Sequence, residues 1–239
     1  MIKTTSPRIV LTRPKAAAER FAERLLAMRP DARVIVSPIL AISYRASVQV
    51  PVADRLVFTS VHGVEGYARL NGDKLPAYCV GEKTAKAARA MGCEVVAVKQ
   101  SSAELETILV EDSANCLLHV RGAHVAGQLA QQIENLVEVV VYDQPAQVLT
   151  KEAVEALSGE SPVVLPLFSP RSAREVGKKI EPTVPLFAAF MSDSVKEQFA
   201  GVQLEQSRIV PTASGSAMLE ATVALFDAAC ALEGRGKGD

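Results

Sequence analysis

The sequence has no excess of positive charge and no long apolar run. Its 26 lysine and arginine residues face 27 aspartate and glutamate residues, which gives a formal net charge of −1. Proteins that bind nucleic acid usually carry a basic excess or a basic stripe. A run such as PVVLPLFSP (162–170) is far shorter than the roughly 20 residues that cross a bilayer. We therefore expect neither nucleic acid nor a membrane as a partner.

Metal ligands and cofactor motifs are also scarce. No pair among the four cysteines has metal or redox spacing, and none of the three histidines pairs with a carboxylate as in zinc proteases. No G-x-G-x-x-G follows the first apolar run, and neither G-x-x-x-x-G-K-[ST] nor G-x-S-x-G occurs. We expect no metal and no cofactor, so a reaction here must need only binding, orientation and one acid.

The compartment is predicted from the amino terminus and the cysteines. MIKTTSPRIVLTRP has neither an apolar signal core nor a small-residue cleavage site. Four cysteines without motif spacing are typical of reduced, buried thiols. These features favour a cytoplasmic protein.

Short apolar runs alternate with amphipathic segments along the chain. Runs such as RIVLT (8–12) and DRLVFTS (54–60) are each followed by a segment of helical pattern. This alternation is typical of parallel sheets covered by helices on both faces. Continuous apolar character within a run indicates a strand that is buried on both sides. The predicted fold class is α/β.

The alternating pattern occurs twice. Ser60 and Ser169 follow similar apolar runs, and Arg13 and Arg121 each end a strand before an amphipathic helix. Either two copies of one α/β module are present, or two strand–helix units are alike by chance. The second copy lacks a final unit after residue 220, and the start of the chain supplies its counterpart. This order predicts a discontinuous first domain.

The predicted architecture is thus two similar parallel-sheet α/β domains joined by a two-stranded linker. The first domain is assigned to residues 1–37 and 149–239, and the second to residues 47–138. The linker strands are assigned to 38–46 and 139–148, and each contains one tyrosine, Tyr44 and Tyr142.

Polar residues mark the predicted strand ends, where open parallel sheets bind their ligands. The residues at these ends are Thr12, Arg13, Thr59, Ser60, Gly81, Arg121, Gly122, Ser169 and Ser192. Capping of the following helix explains any single hydroxyl. Several hydroxyls in both halves, joined by arginines, favour contacts to an anion instead.

An ordered set of short motifs resembles the uroporphyrinogen-III synthase family over nearly the whole chain. In order, the motifs are TRP, FTS, VGEKTA, LHVRG, VVVYD, LFSPRSA and VPTASGSAMLEAT. The resemblance implies two α/β domains on a two-stranded linker, with the first domain discontinuous. It also implies a lyase of porphyrin and haem biosynthesis that needs no cofactor and no metal.

The resemblance further implies a substrate and a reaction. Members of this family close the linear tetrapyrrole hydroxymethylbilane to uroporphyrinogen III and invert ring D through a spiro intermediate. The substrate bears eight carboxylates, so a cleft lined with N–H groups, hydroxyls and arginines suits it. A monomer is expected, with a transient contact to the preceding enzyme of the pathway as a further expectation.

The resemblance assigns roles to individual residues. Tyr142 matches the conserved tyrosine of the second linker strand and is the predicted catalytic acid, since tyrosines ordinarily have a pKa near 10 and stay protonated at neutral pH. The alternative is an aromatic residue that only packs. Thr84 matches a family threonine, with helix capping as the alternative. The predicted substrate-binding set is Arg13, Thr59, Ser60, Gly81, Lys83, Thr84, Arg121, Gly122, Ser169, Arg171 and Ser192.

One region departs from the family pattern. Where the second copy usually repeats a glycine-containing turn, the chain reads FAAFMSDSVKEQF (187–199). Ser192 is expected to supply a hydroxyl there. Asp193 is expected to cap the helix, because a carboxylate facing the cleft would repel the substrate.

Two other functions compete with the enzyme. A non-catalytic two-domain protein that binds a small-molecule anion would share the architecture, and export would favour it. An α/β domain for protein–protein contact would expose a large apolar patch.

Overall fold

The computed structural model describes residues 6–112, 116–124, 129 and 133–235. The chain divides into two compact units. Unit 1 comprises Met1–Ala41 with Ala146–Asp239, and unit 2 comprises Ile42–Pro145. The amphipathic pattern of VAGQLAQQI (125–133) predicts a helix after the strand LHVRG, and this segment falls largely outside the described residues.

Strands and helices alternate through most of the described chain, as the sequence predicts. In chain order they are β1 (Arg8–Leu11), α1 (Lys15–Met28), β2 (Arg33–Val36), β3 (Ser43–Tyr44), β4 (Arg55–Phe58), α2 (Val61–Arg69), β5 (Ala77–Val80), α3 (Glu82–Met91), β6 (Val95–Lys99), α4 (Ser102–Leu109), β7 (Leu117–Gly122), β8 (Leu136–Asp143), α5 (Lys151–Leu157), β9 (Val163–Leu167), α6 (Pro170–Gly177), β10 (Leu186–Phe190), α7 (Asp193–Glu197), β11 (Gln206–Ile209) and α8 (Gly215–Arg235).

Unit 1 contains a sheet of five parallel strands in the order β11-β10-β9-β1-β2. Every residue of β9 and β10 is buried. Successive residues of β10 alternate between two cores, so that Phe190 packs on one face of the sheet and Phe187 on the other. Burial on both faces explains the continuous apolar runs in the sequence.

Unit 2 contains a sheet in the order β3-β8-β7-β4-β5-β6. The five strands from β8 to β6 are parallel, and β3 pairs antiparallel with β8. The core around Leu56, Phe58 and Val120 covers one face, and that around Val57 and Leu105 covers the other. The predicted class, two parallel-sheet α/β domains, is confirmed.

The two chain crossings between the units carry a two-stranded antiparallel element. Tyr44 of β3 lies opposite Tyr142 of β8, and Leu40 forms a single antiparallel bridge with Ala146. The limits of the units fall within the two segments that the sequence assigns to the linker. Most of β8, however, is an inner strand of the unit 2 sheet.

Helix α8 is more apolar than the sequence analysis allowed. Its segment Gly215–Leu232 has a mean hydropathy of 1.4 and, by length and composition alone, would suffice to cross a membrane. In unit 1 it packs on β9, β10 and β11 and buries Met218, Leu225 and Phe226. These contacts are typical of a helix that covers the core of a sheet. The expectation of no such segment rests on uninterrupted apolar runs only. Polar residues interrupt the apolar pattern of α8, so this helix is not recognised from such runs as long enough to cross a bilayer.

Candidate functional site

The carboxyl ends of three neighbouring strands in unit 2 bring Ser60, Gly122 and Tyr142 together. Ser60 follows β4, Gly122 ends β7, and Tyr142 lies near the end of β8. The hydroxyl oxygens of Ser60 and Tyr142 are 3.1 Å apart. Tyr142 is 7% exposed, so its phenol is held inside the protein. Three residues that the sequence predicts as site residues therefore form one contact group.

Gly122 provides the space that the Tyr142 ring occupies. A Cβ atom at position 122 would lie 2.5 Å from Cζ of Tyr142 and 2.9 Å from its hydroxyl oxygen. The register between β7 and β8 shifts between Arg121 and Gly122, which pairs Gly122 directly with Tyr142. Such irregularities re-aim side chains next to functional sites. The glycine is required here for close approach of a side chain.

Ser60 has two roles at the end of β4. It is the N-cap of α2, and its Oγ accepts a hydrogen bond from the Gly63 N–H at 3.0 Å. With that acceptor role filled, its own proton can be donated to the oxygen of Tyr142. The phenol proton is then available to another acceptor. The Ser60 hydroxyl thus both caps α2 and contacts the hydroxyl of Tyr142.

Replacing Ser60 by alanine should lower the free energy of unfolding by about 1 kcal/mol, because the helix loses its cap. Turnover should also fall, since Tyr142 loses its partner. The matched control is Ser101→Ala, which removes the cap of α4, where Ser101 Oγ accepts from the Glu104 N–H at 3.2 Å. Denaturant unfolding and turnover are measured on both variants. Equal turnover in Ser60→Ala and Ser101→Ala would show that Ser60 only caps its helix.

A polar chain centred on a buried histidine lies behind these strand ends. Thr59 Oγ1 is 3.2 Å from Nε2 of His119, and Nδ1 of His119 is 3.1 Å from Oε1 of Glu138. The other carboxylate oxygen of Glu138 lies 2.8 Å from Nη2 of Arg121. His119 is only 2% exposed. Thr59 and Arg121, both predicted to bind substrate, are therefore engaged with other side chains of the protein.

Burial lowers the pKa of His119, and the neighbouring Glu138 opposes this effect only in part. The imidazole is therefore neutral in the folded protein. The unfolded chain takes up the proton below about pH 6.5, the ordinary value for histidine. The free energy of unfolding should consequently fall as the pH drops below this value, by at most about 1.4 kcal/mol per pH unit from this group.

The variant His119→Asn should weaken this dependence. Denaturant unfolding of the native protein and the variant between neutral and mildly acidic pH provides the comparison. Identical slopes for the two proteins would contradict a neutral, buried imidazole.

A second polar cluster lies against the Tyr142 ring. Tyr44 donates a hydrogen bond to Glu65, and His62 Nδ1 lies 3.0 Å from both the Tyr44 hydroxyl and Glu65 Oε2. The rings of His62 and Tyr44 have centroids 5.7 Å and 6.4 Å from that of Tyr142. The Arg69 guanidinium lies over the Tyr44 ring, 4.4 Å from its centroid.

The hydrogen bonds in this cluster shift the pKa values of Glu65 and Tyr44 in opposite directions. The hydrogen bond from Tyr44 lowers the pKa of Glu65, with a further contribution from His62. Burial, followed by the hydrogen bond to Glu65, raises the pKa of Tyr44 above its ordinary value. Tyr44 therefore stays protonated and Glu65 ionised at neutral pH. Sequence reasoning assigned no role to these residues, although Tyr44 stands in the predicted linker and His62 is two residues from Ser60.

The remaining predicted residues of unit 2 lie one strand beyond Ser60, at the end of β5. Gly81 has a φ of 76°, a conformation that favours glycine, and it is the N-cap residue of α3. Apart from its chain neighbours, no atom of the described residues lies within 4 Å of where its Cβ would be, and its N–H donates to the Lys99 carbonyl at 2.8 Å. Lys83 is exposed, whereas Thr84 is 5% exposed and lies in the first turn without capping the helix.

The predicted residues of unit 1 follow β1, β9 and β10. The Arg13 guanidinium lies 3.9 Å from the centroid of the Phe168 ring, and burial, with the nearby Arg20, lowers its pKa. Ser169 caps α6, and its Oγ accepts from the Ser172 N–H at 3.2 Å. Arg171 is half-buried in the first turn of α6.

The departure at 187–199 is accommodated by a short helix. Ser192 is the N-cap residue of α7, and its Oγ lies 2.9 Å from that of Ser194. Asp193 is the first residue of the helix and not its cap, so the expectation of an Asp193 cap is wrong. A carboxylate in the first turn is nevertheless favourable, because it faces the positive end of the helix dipole.

Metal ligands are not grouped in the described part of the chain: no three His, Cys, Asp or Glu side chains there could hold one ion together.

Solved structures define the class of this fold. The chain is similar to uroporphyrinogen-III synthetase from Helicobacter pylori, with a TM-score of 0.65 and 18% identity, over 92% of this chain and 99% of that one. It is also similar to a mutant uroporphyrinogen III synthase from the extremely thermophilic bacterium Thermus thermophilus, with a TM-score of 0.53 and 16% identity, over 93% of this chain and 100% of that one. The class is that of two-domain α/β proteins.

Family membership follows from the sequence match. The model of the family described as uroporphyrinogen-III synthase HemD matches residues 19–220, and the chain belongs to that family. No curated protein matches the chain. The resemblance read from the short motifs is confirmed.

Proposed function

We propose that this protein closes hydroxymethylbilane to uroporphyrinogen III, with loss of water and inversion of ring D. The observation that carries the proposal is the family match over residues 19–220. The contact group of Ser60, Gly122 and Tyr142 supports it, because it holds a phenol hydroxyl at strand ends where parallel sheets bind ligands. The enzyme class is a lyase that eliminates water.

Tyr142 supplies the proton that the leaving hydroxyl requires. As the C–O bond of the hydroxymethyl group breaks, the phenol proton goes to that oxygen and water departs. The cationic azafulvene left behind is attacked by ring D at its substituted α-carbon, which forms the spiro intermediate. Reopening and closure at the other α-carbon release one proton, which restores the phenol. Overall the reaction loses one water and consumes no acid.

The phenolate formed in the first step is stabilised by its surroundings. Ser60 donates to the phenolate oxygen, and the N-terminal end of α2 begins at the next residue. A hydrogen bond to a charged group contributes about 1.5–3 kcal/mol, and a helix N-terminus favours negative charge. The hydrogen bond already exists with the neutral phenol, and it strengthens as negative charge develops on the oxygen. Both contributions therefore act on the transition state more than on the bound substrate.

Carboxylate binding is distributed over several strand ends. In unit 2 the first turn of α3, which begins beside the open space at Gly81, and the exposed Lys83 offer donors. Unit 1 offers a similar set around Ser169 and the first turn of α6. Each contact is modest, but several together fix a flexible substrate, and proximity does most of the catalysis.

The proposal also includes the compartment, the oligomeric state and one partner of the protein. It acts in the cytoplasm as a monomer and makes a transient contact with the enzyme that produces hydroxymethylbilane. Light scattering of the purified protein tests the monomer, and a dimer at working concentration would contradict it.

The decisive assay is product analysis. The protein is mixed with freshly made hydroxymethylbilane, the products are oxidised, and isomers I and III are separated; a protein-free tube records spontaneous closure to isomer I. Isomer III is expected. Isomer I alone would leave the non-catalytic anion-binding protein, which family membership does not favour, as the remaining interpretation.

A further inference from the structure

We propose that His119, Glu138 and Arg121 form a polar positioning chain, centred on the buried His119, that fixes both of the residues holding Tyr142. The inference rests on the proposed function, because it concerns the group that donates the proton. None of the three touches Tyr142 through a described hydrogen bond, so they act through their neighbours.

One end of the chain reaches the strand end that carries Ser60. Thr59, the residue before Ser60, has its Oγ1 3.2 Å from Nε2 of His119. The orientation of this residue sets the direction in which the next side chain leaves the backbone. Fixing the Thr59 hydroxyl therefore helps to fix Ser60.

The other end of the chain reaches Gly122. Arg121 pairs with Glu138 at 2.8 Å and donates from Nη1 to the carbonyl oxygens of Gly122 at 2.9 Å and Ala123 at 3.5 Å. These carbonyls follow the register shift between Arg121 and Gly122. The guanidinium thus holds the irregular backbone on which the Tyr142 ring packs.

The charges define the direction of each hydrogen bond in the chain. Glu138 faces Arg121 and is an acceptor, so Nδ1 of His119 carries the proton that it donates to Glu138. Nε2 is then an acceptor, and the Thr59 hydroxyl donates to it. The neutral imidazole satisfies both neighbours, and the burial of the ring favours it over the charged form. A strand pair needing stability alone would gain as much from apolar residues at 119 and 138, whereas this arrangement also sets hydroxyl and backbone geometry.

Two substitutions remove the hydrogen bond between Thr59 and His119, at one end of the positioning chain. His119→Asn retains an amide near the place of Nδ1 but has nothing at the place of Nε2, and Thr59→Val removes the hydroxyl at nearly constant shape. We expect kcat to fall roughly tenfold in each, because small misplacements of reacting groups are costly, with little change in KM. The double variant should resemble either single one, since both remove the same contact.

A spectroscopic readout separates positioning from general destabilisation. Labelling Cζ of the tyrosines with ¹³C gives one signal for each of the four tyrosines, and the signal of Tyr142 is identified by its loss in Tyr142→Phe. In the absence of substrate, this signal should shift in both Thr59→Val and His119→Asn. The matched control is Thr222→Val in α8, which removes a fully buried hydroxyl from unit 1 and should move neither kcat nor the signal.

The outcomes separate this inference from the proposed function. An unchanged kcat and an unshifted Tyr142 signal in Thr59→Val would overturn the positioning chain. Thr59→Val decides the matter if His119→Asn does not fold, because Thr59 is only partly buried. If the native protein forms no isomer III, the proposed function fails, and the signal of Tyr142 still tests the chain.

Discussion

Replacing Tyr142 by phenylalanine should lower turnover by about 10- to 100-fold, the low end of the range for losing a general acid. The ring remains, so its packing against Gly122, Tyr44 and His62 is kept. Only the proton and the hydrogen bond to Ser60 are lost. Because substrate carboxylates are bound elsewhere, KM should change little. Steady-state kinetics on the variant measure both quantities.

A second tyrosine provides the control for this substitution. Tyr67 is 1% exposed in α2 and packs in the core of unit 2. The variant Tyr67→Phe also removes a phenolic hydroxyl from unit 2 and should retain full turnover. If Tyr142→Phe were as active as Tyr67→Phe, Tyr142 would have only a packing role.

The variant Gly122→Ala should be at least as damaging, with turnover reduced by roughly 100-fold, the cost of displacing a reacting group by about 1 Å. The new Cβ would overlap the ring, at 2.5 Å from Cζ and 2.9 Å from the hydroxyl oxygen of Tyr142. Because the phenol is buried and bonded to Ser60, it can move only by giving up that bond. Overpacking of this kind costs about 1–3 kcal/mol of stability.

Gly177→Ala is the matched control. Gly177 lies in α6 of unit 1, and a Cβ there would meet Phe199 at an ordinary 3.5 Å. Turnover should stay at the native level, because this contact leaves the Phe199 ring where it is. Native turnover in Gly122→Ala would show that the place of the Tyr142 ring is not critical.

The sequence predicts the fold well because its signals are local. Continuous apolar runs identify the strands buried on both faces, and the order of the two copies predicts the discontinuous first domain. Ser60 and Ser169, chosen from that pattern, both cap the helices that follow their strands. Residues next to a strand end can be recognised from sequence because topology brings those ends to one edge of the sheet.

The rest of the site depends on pairing across strands, which no local pattern encodes. Tyr44 meets Tyr142 only through the register of β3 with β8, and His119 meets Glu138 only through that of β7 with β8. The pairing of Arg121 with Glu138 has the same origin, so the sequence could suggest only a carboxylate of the substrate as its partner. As a carboxylate ligand, Arg121 stays a prediction.

The most direct test of the central claim, that the Tyr142 hydroxyl protonates the leaving group, is to change that group. A bilane with an acetate ester in place of the terminal hydroxyl can lose its leaving group without a proton. Rates of isomer III formation from both substrates are compared for the native protein and Tyr142→Phe, after subtraction of spontaneous closure. The 10- to 100-fold deficit of the variant on hydroxymethylbilane should nearly disappear with the ester. An equal deficit on both substrates would contradict proton donation by Tyr142.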